Sequence, residues 1–108
     1  MDMGAIFAYV TAKDKEEARR IGMALLEERL AACINVMPGM ESTYWWEGRL
    51  EEAQECVLLV KSDASRSEAI VRRVRELHSY SCPCVAIWPL TDGNPDYLDW
   101  IRKESTRA

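Results

Sequence analysis

Hydrophobic and polar positions along the chain divide it into eight segments. Ala5-Ile6-Phe7-Ala8-Tyr9-Val10-Thr11 is rich in β-branched and aromatic residues and predicts a strand. Asp14 then caps a helix, with Glu17 three residues on completing a capping-box pattern. Ala18, Ile21, Gly22 and Leu25 follow at i, i+3, i+4 and i+7, one apolar stripe facing a core. A glycine inside such a stripe lowers helix stability, so Gly22 predicts close packing against a sheet. Ala32-Cys33-Ile34-Asn35-Val36-Met37 predicts a second strand that Pro38-Gly39 breaks or bulges. Extended character resumes at Ser42-Thr43-Tyr44-Trp45-Trp46, turns at Glu47-Gly48-Arg49 and returns through Cys56-Val57-Leu58-Leu59-Val60-Lys61. This is a long hairpin with Gly48 at its tip. A second helix begins near Ser65, with Glu68 three residues on. It places Ile70, Val71, Val74 and Leu77 on one face and Arg66, Arg72, Arg73 and Arg75 on the other. Cys84-Val85-Ala86-Ile87-Trp88, enclosed by Pro83 and Pro89, predicts a fourth strand at a sheet edge or strand end. Asp92-Gly93 turns the chain, and Asn94 caps a short C-terminal helix with Pro95 at its first position. That helix is expected to bury Tyr97, Trp100 and Ile101.

The order βαββαβ plus a terminal helix predicts one α+β domain over residues 1–108, a ferredoxin-like sandwich with a long hairpin between its second and third strands. Two helices cover one face of its four-stranded sheet. Yet the strands Ile6 to Val10 and Val57 to Val60 are apolar at both parities, and successive residues point to opposite faces. The second face therefore predicts a homo-oligomeric interface.

Composition narrows the partners. The 108 residues are 48% hydrophobic, with 14 basic and 18 acidic side chains and a net charge of -4. This is too apolar and too weakly charged for disorder. The longest apolar run, Ala5 to Val10, falls far short of the roughly 20 residues a membrane helix needs, which argues against a membrane partner. The acidic balance argues against nucleic acid. The first basic residue, Lys13, follows the apolar stretch, so no secretory leader is read and a cytoplasmic location is expected. Cys33, Cys56, Cys82 and Cys84 are then expected as free thiols. Charge is also uneven. Between Glu41 and Glu55 lie five glutamates and one arginine, which equal the whole net charge, whereas Arg66 to Glu76 carries four arginines and two glutamates. These are either two solvated faces or surfaces that meet across a subunit boundary.

His78, Tyr80, Cys82 and Cys84 fall within seven residues. Thiolates and imidazole suit soft or borderline ions such as Cu(I), and Cys82 and Cys84 share one side of a regular strand. The competing reading makes the thiols small buried hydrophobes and places His78 at a helix C-terminus, where the dipole favours it. Cys33 and Cys56, among apolar neighbours, read as core. Tyr44, Trp45 and Trp46 read as an anchor for a protein partner or a stacking surface for a ligand. No nucleophile with a local base, phosphate-cradling glycine loop or paired carboxylate is seen, so no enzyme is expected.

Leu30-Ala31-Ala32-Cys33-Ile34-Asn35-Val36-Met37-Pro38-Gly39, Tyr44-Trp45-Trp46-Glu47-Gly48-Arg49, Leu59-Val60-Lys61, Glu76-Leu77-His78-Ser79-Tyr80 and Gly93-Asn94-Pro95-Asp96-Tyr97-Leu98 resemble, in order, the signatures of the CutA divalent-cation-tolerance family. The resemblance implies a ferredoxin-like protomer in a homotrimer, with a metal ion or small molecule in intersubunit clefts, a role in the response to metal ions, and copper or another divalent cation as ligand. Carried over by position, it implies cleft residues Cys33, Asn35, Tyr44, Trp46, Glu47, Lys61, His78 and Tyr80. Where the family's proposed copper ligands would fall, this chain has Val10, Leu77 and His78, so one of three is kept. The expected metal ligands are therefore His78 with the pair Cys82 and Cys84. The alternative is a signalling trimer that docks a protein partner through the acidic, aromatic hairpin.

Overall fold

The cap expected at Asp14 forms. In the computed structural model, which describes residues 4–107, the Asp14 carboxylate accepts the Glu17 N–H at 2.8 Å and starts α1 (Lys15–Glu27). Before it runs β1 (Ala5–Ala12); after it come β2 (Cys33–Trp46), β3 (Arg49–Asp63), a 3₁₀ turn (Ala64–Arg66), α2 (Ser67–Leu77), β4 (Val85–Pro89) and α3 (Pro95–Thr106). The strands form one antiparallel sheet in the order β2-β3-β1-β4, the ferredoxin-like arrangement, with β4 at an edge.

Alternation sorts side chains to the two faces. Ile6, Ala8, Val10 and Ala12 of β1 and Cys56, Leu58 and Val60 of β3 pack beneath Ala18, Ile21 and Leu25 of α1 and Ile70 and Val74 of α2. A Cβ on Gly22 would collide with Ile34 and sit 3.0 Å from Leu58, so the glycine allows the helix to approach the sheet. The opposite parity carries Phe7 and Tyr9 of β1, Leu59 and Lys61 of β3, Asn35 and Met37 of β2 and Trp88 of β4. Trp88 lies 6.2 Å from Phe7 and 6.0 Å from Tyr9, ring centre to ring centre. This face is only partly covered: Met37 and Trp88 are exposed, and α3 meets one end, where Arg102 pairs with Asp63 at 2.8 Å.

Four expectations need correction. The third strand begins at Arg49 rather than near Cys56, because the acidic stretch pairs with β2 from Trp46↔Arg49 through Met40↔Glu55. Ser65 does not cap α2. Asp63 instead caps the preceding 3₁₀ turn, accepting from the Ser65 N–H at 3.0 Å and hydroxyl at 2.6 Å, and α2 starts at Ser67. In α3 only Ile101 of the three expected apolar residues is buried; Tyr97 and Trp100 stack on each other at 5.9 Å and remain exposed. Cys56 is in the core as expected, but Cys33 has the opposite parity and lies half-buried across from Lys61 on the open face.

Candidate functional site

The hairpin reaches the site through a bulge. Between Met37↔Val57 and Met40↔Glu55, β2 advances three residues while β3 advances two, and Gly39 supplies the positive φ of +85° that the extra residue requires. One inserted residue reverses facing. Before the bulge Cys33, Asn35 and Met37 point to the open face; after it Met40, Ser42, Tyr44 and Trp46 do. At the tip, Glu47 and Gly48 both have positive φ, 51° and 78°, the geometry of a two-residue I′ turn.

Tyr44 and Trp46 thereby form one wall of a pocket of about 340 Å³, completed by Thr11, Glu55, Tyr80, Ser81, Cys82 and Cys84. The loop after α2 is held in place from behind. Glu17, 3% exposed, accepts the Lys13 N–H at 3.1 Å and the Ser79 N–H at 2.9 Å. Burial alone would raise its pKa. The hydrogen bonds from Ser79 and Lys13 and the neighbouring His78 outweigh that effect, and the carboxyl titrates below the ordinary range. His78 is buried with both ring nitrogens engaged: Nδ1 accepts the Tyr80 N–H at 3.0 Å, which makes Nε2 the donor to the Thr11 carbonyl at 2.7 Å. Its ring lies 4.7 Å from that of Tyr80. Tyr80 in turn donates its hydroxyl to Glu55 at 2.9 Å. Burial, then the Glu55 hydrogen bond and charge, push its phenol well above the ordinary tyrosine value, so it stays a donor.

Of the eight expected cleft residues, Tyr44, Trp46 and Tyr80 line this pocket. Glu47 is at the exposed turn beyond it, and His78 sits behind it as a positioning residue. Cys33 and Lys61 occupy the other end of the open face, with Asn35, opposite Leu59, between: Lys61 is opposite Phe7 and Val57 is opposite Thr11, about 13 Å apart along the strand. There Lys61 donates to the Tyr97 hydroxyl at 3.0 Å, and its Nζ lies 5.5 Å from both the Phe7 and Tyr97 ring centres. The expected metal trio does not converge. Cys82 and Cys84 are exposed thiols in the pocket, while His78 offers no free lone pair. Among the described residues no group of three His, Cys, Asp or Glu side chains is placed to hold an ion. Thr11, Glu55 and Ser81 are the pocket residues that sequence reasoning missed; pairing within the sheet brings in Thr11, opposite Val57, and Glu55, opposite Met40.

A second, more open groove of about 660 Å³ lies outside, between α2 and β4, lined in part by Arg72, Arg75, Val71, Pro83 and Ile87. The other two arginines expected on this face are engaged within the protomer: Arg66, at the end of the 3₁₀ turn, donates to the Ser105 carbonyl at 2.8 Å, and Arg73 of α2 pairs with Glu28 at 2.9 Å.

Fold and site define a ferredoxin-like α+β protein whose partly open sheet face carries an aromatic, soft-donor pocket. Residues 6–104 match the CutA1 divalent ion tolerance protein family, and the chain belongs to that family. It is 44% identical over 96 residues to the divalent-cation tolerance protein CutA of Thermus thermophilus, covering 89% of this chain and 93% of that one. It is also 41% identical to Protein CutA 1, chloroplastic, of Oryza sativa, which covers 95% of this chain; the match spans only 58% of that longer protein. Among solved structures, CutA1 from Oryza sativa superposes with a TM-score of 0.91 at 40% identity, covering 98% of this chain and 96% of that one. The periplasmic divalent cation tolerance protein CutA from Archaeoglobus fulgidus does so at 0.89 and 40% identity, covering 94% and 98%. No helix among the described residues is long and apolar enough to cross a membrane.

Proposed function

We propose that this chain works as a homotrimer that binds metal cations in clefts at its subunit boundaries and acts in the response to metal ions, by binding rather than by catalysis, in the cytoplasm. The observation that carries the reading is the partly open sheet face. Half-buried Phe7 and Tyr9 and exposed Met37 and Trp88 lie on it, and the pocket opens on the same face. A second copy would cover these residues and wall the pocket. The count of three follows the family resemblance.

The pocket's groups favour a cation over a small anion: it presents the Glu55 carboxylate and two thiols, and no lysine or arginine lines it. Lys61, at the far end of the face, is the position that suits an anion. Sedimentation at micromolar concentration should give a trimer, and calorimetry should show saturable uptake of Zn(II) or Cu(II) that Glu55→Ala weakens. A stable folded monomer, or no cation uptake, would overturn the reading. A second reading, a trimer that docks a protein partner through the hairpin, draws on Trp45, 73% exposed beside an acidic strand. A partner that binds the native chain equally well after Trp45→Ala and Glu51→Lys would exclude it.

A further inference from the structure

We propose that the pocket between the hairpin and the loop after α2 binds a small organic cation, an ammonium ion methylated at nitrogen, against the rings of Tyr44, Trp46 and Tyr80 and the carboxylate of Glu55. This rests on the reading of that pocket as a cation cleft and names a class of cation for it. All four side chains line one pocket of about 340 Å³, within the roughly 300–1,000 Å³ of small-ligand sites. Tyr44 and Trp46 stand two apart on the same side of β2. The Tyr44 phenol is among the groups that raise the pKa of Tyr80, which places the two rings near each other. The Tyr80 hydroxyl donates to Glu55 Oε2 at 2.9 Å. That bond fixes ring and carboxylate together and leaves Oε1 without a hydrogen bond among the described residues.

The rings carry no cation of the chain's own. Among the described residues both cation–π contacts belong to Lys61, on Phe7 and Tyr97 at the other end of the face. Tyr44 and Trp46 stack on no other ring there, and Tyr80 is backed on one side by His78 at 4.7 Å. The groups present also suit a large ion. A metal ion needs several lone-pair ligands, and among the described residues of one protomer no three His, Cys, Asp or Glu side chains are placed to hold one. Aromatic faces offer a cation their negative quadrupole instead, tryptophan most strongly. A primary ammonium would bring three N–H donors to satisfy, whereas a methylated nitrogen brings methyl groups that pack on the rings. Glu55 supplies the opposite charge, and no lysine or arginine lines the pocket to oppose it.

The test is titration of the native protein with tetramethylammonium chloride, against sodium chloride at matched ionic strength, followed by calorimetry and by the tryptophan indole N–H signals in NMR. Binding should saturate and shift the Trp46 signal. Tert-butanol, an uncharged molecule of similar shape, should not bind at the same concentration. Trp46→Leu and Glu55→Gln should each weaken binding by about tenfold, while Tyr80→Phe, which keeps the ring, should change it by less than about threefold. Trp46 is exposed, so its replacement leaves the core intact, and Trp100→Leu on α3 should leave binding unchanged. Equal uptake of tert-butanol, or undiminished binding by Trp46→Leu, overturns the assignment. If Zn(II) or Cu(II) binds and tetramethylammonium does not, the organic-cation assignment fails and the cleft reading stands. If tetramethylammonium alone binds, the assignment stands and the metal part of that reading falls; if nothing binds, both fall.

Discussion

Glu17 begins as a helix-capping residue and ends as the latch of the binding loop, and its replacement should separate the two roles. Its carboxylate accepts two backbone N–H groups from segments 66 positions apart, Lys13 at 3.1 Å and Ser79 at 2.9 Å, from a site 3% exposed. Glu17→Ala leaves both donors without that acceptor. At about 1–3 kcal/mol for each unsatisfied buried group, some of it recovered by water at the loop surface, the loss should be about 2–4 kcal/mol. Glu17→Gln keeps one acceptor oxygen but turns an amide N–H toward a backbone N–H, and should cost about 1–3 kcal/mol. The Arg20 contact at 3.5 Å adds little, since Arg20 is exposed. Urea unfolding at fixed protein concentration measures both changes, because self-association shifts apparent stability. The same series should carry a pH signature. The folded pKa of Glu17 lies below its unfolded value, so its stabilisation is complete above about pH 4.3 and is lost as pH falls through the folded pKa. Glu17→Gln should therefore flatten part of the acid limb. A glutamine variant within about 0.5 kcal/mol of the native chain, with an unchanged acid limb, would refute the latch.

Other perturbations test the remaining devices. Burial works against ionisation of Asp63, but hydrogen bonds from Ser65 and Arg102 depress its pKa overall, so Asp63→Asn should remove a further part of the stability lost below about pH 4, read as the melting temperature against pH. Glu47 occupies the left-handed region at φ 51° in the hairpin turn, and Glu47→Asn should raise stability by about 1 kcal/mol in thermal unfolding. Gly22→Ala should lose about 1–2 kcal/mol in denaturant titration, against the roughly 1 kcal/mol gain that helix propensity alone predicts, because the new Cβ meets Ile34 and Leu58. Deleting Gly39 should keep the far-ultraviolet spectrum but change the near-ultraviolet aromatic signal, as Tyr44 and Trp46 turn away from Tyr80; an unchanged aromatic signal would count against the bulge as their orienting device.

The elements were legible where burial imposes a period. Ala18, Ile21, Gly22 and Leu25 mark α1 because one stripe of that helix meets the sheet. Ile6 to Val10 and Val57 to Val60 mark central strands because both their faces carry apolar side chains. Legibility failed where a neighbour outside the local window decides the outcome. Leu50 to Glu55 has the composition of a loop, yet it is a strand because Met40 to Trp45 supplies its hydrogen bonds. Tyr97 and Trp100 have the composition of a helix core face, yet α3 meets only the end of the sheet and draws Ile101 and Ser105 inward instead. Asn35 and His78 raise the same problem on a smaller scale: residue type suggests ligands, but register sets one opposite Leu59, outside the pocket lining, and backbone partners occupy both ring nitrogens of the other.

The candidate site shows why type and spacing alone could not assemble it. Cys33, Asn35, Tyr44 and Trp46 sit on one strand and have mixed parity; in a regular strand the first two would face opposite to the last two. Pro38-Gly39 reads equally well as a break or a bulge, and the two readings send Tyr44 and Trp46 in different directions. Only the pairing of Met40 with Glu55 selects the bulge, and with it the open face. Once that register is set, Glu55 comes within 2.9 Å of the Tyr80 hydroxyl, and Tyr44 and Trp46 line one pocket with Cys82 and Cys84. The extra residue in β2 therefore does for the site what Gly22 does for the core. Each makes a small local concession in backbone regularity, and each brings distant parts of the chain into contact.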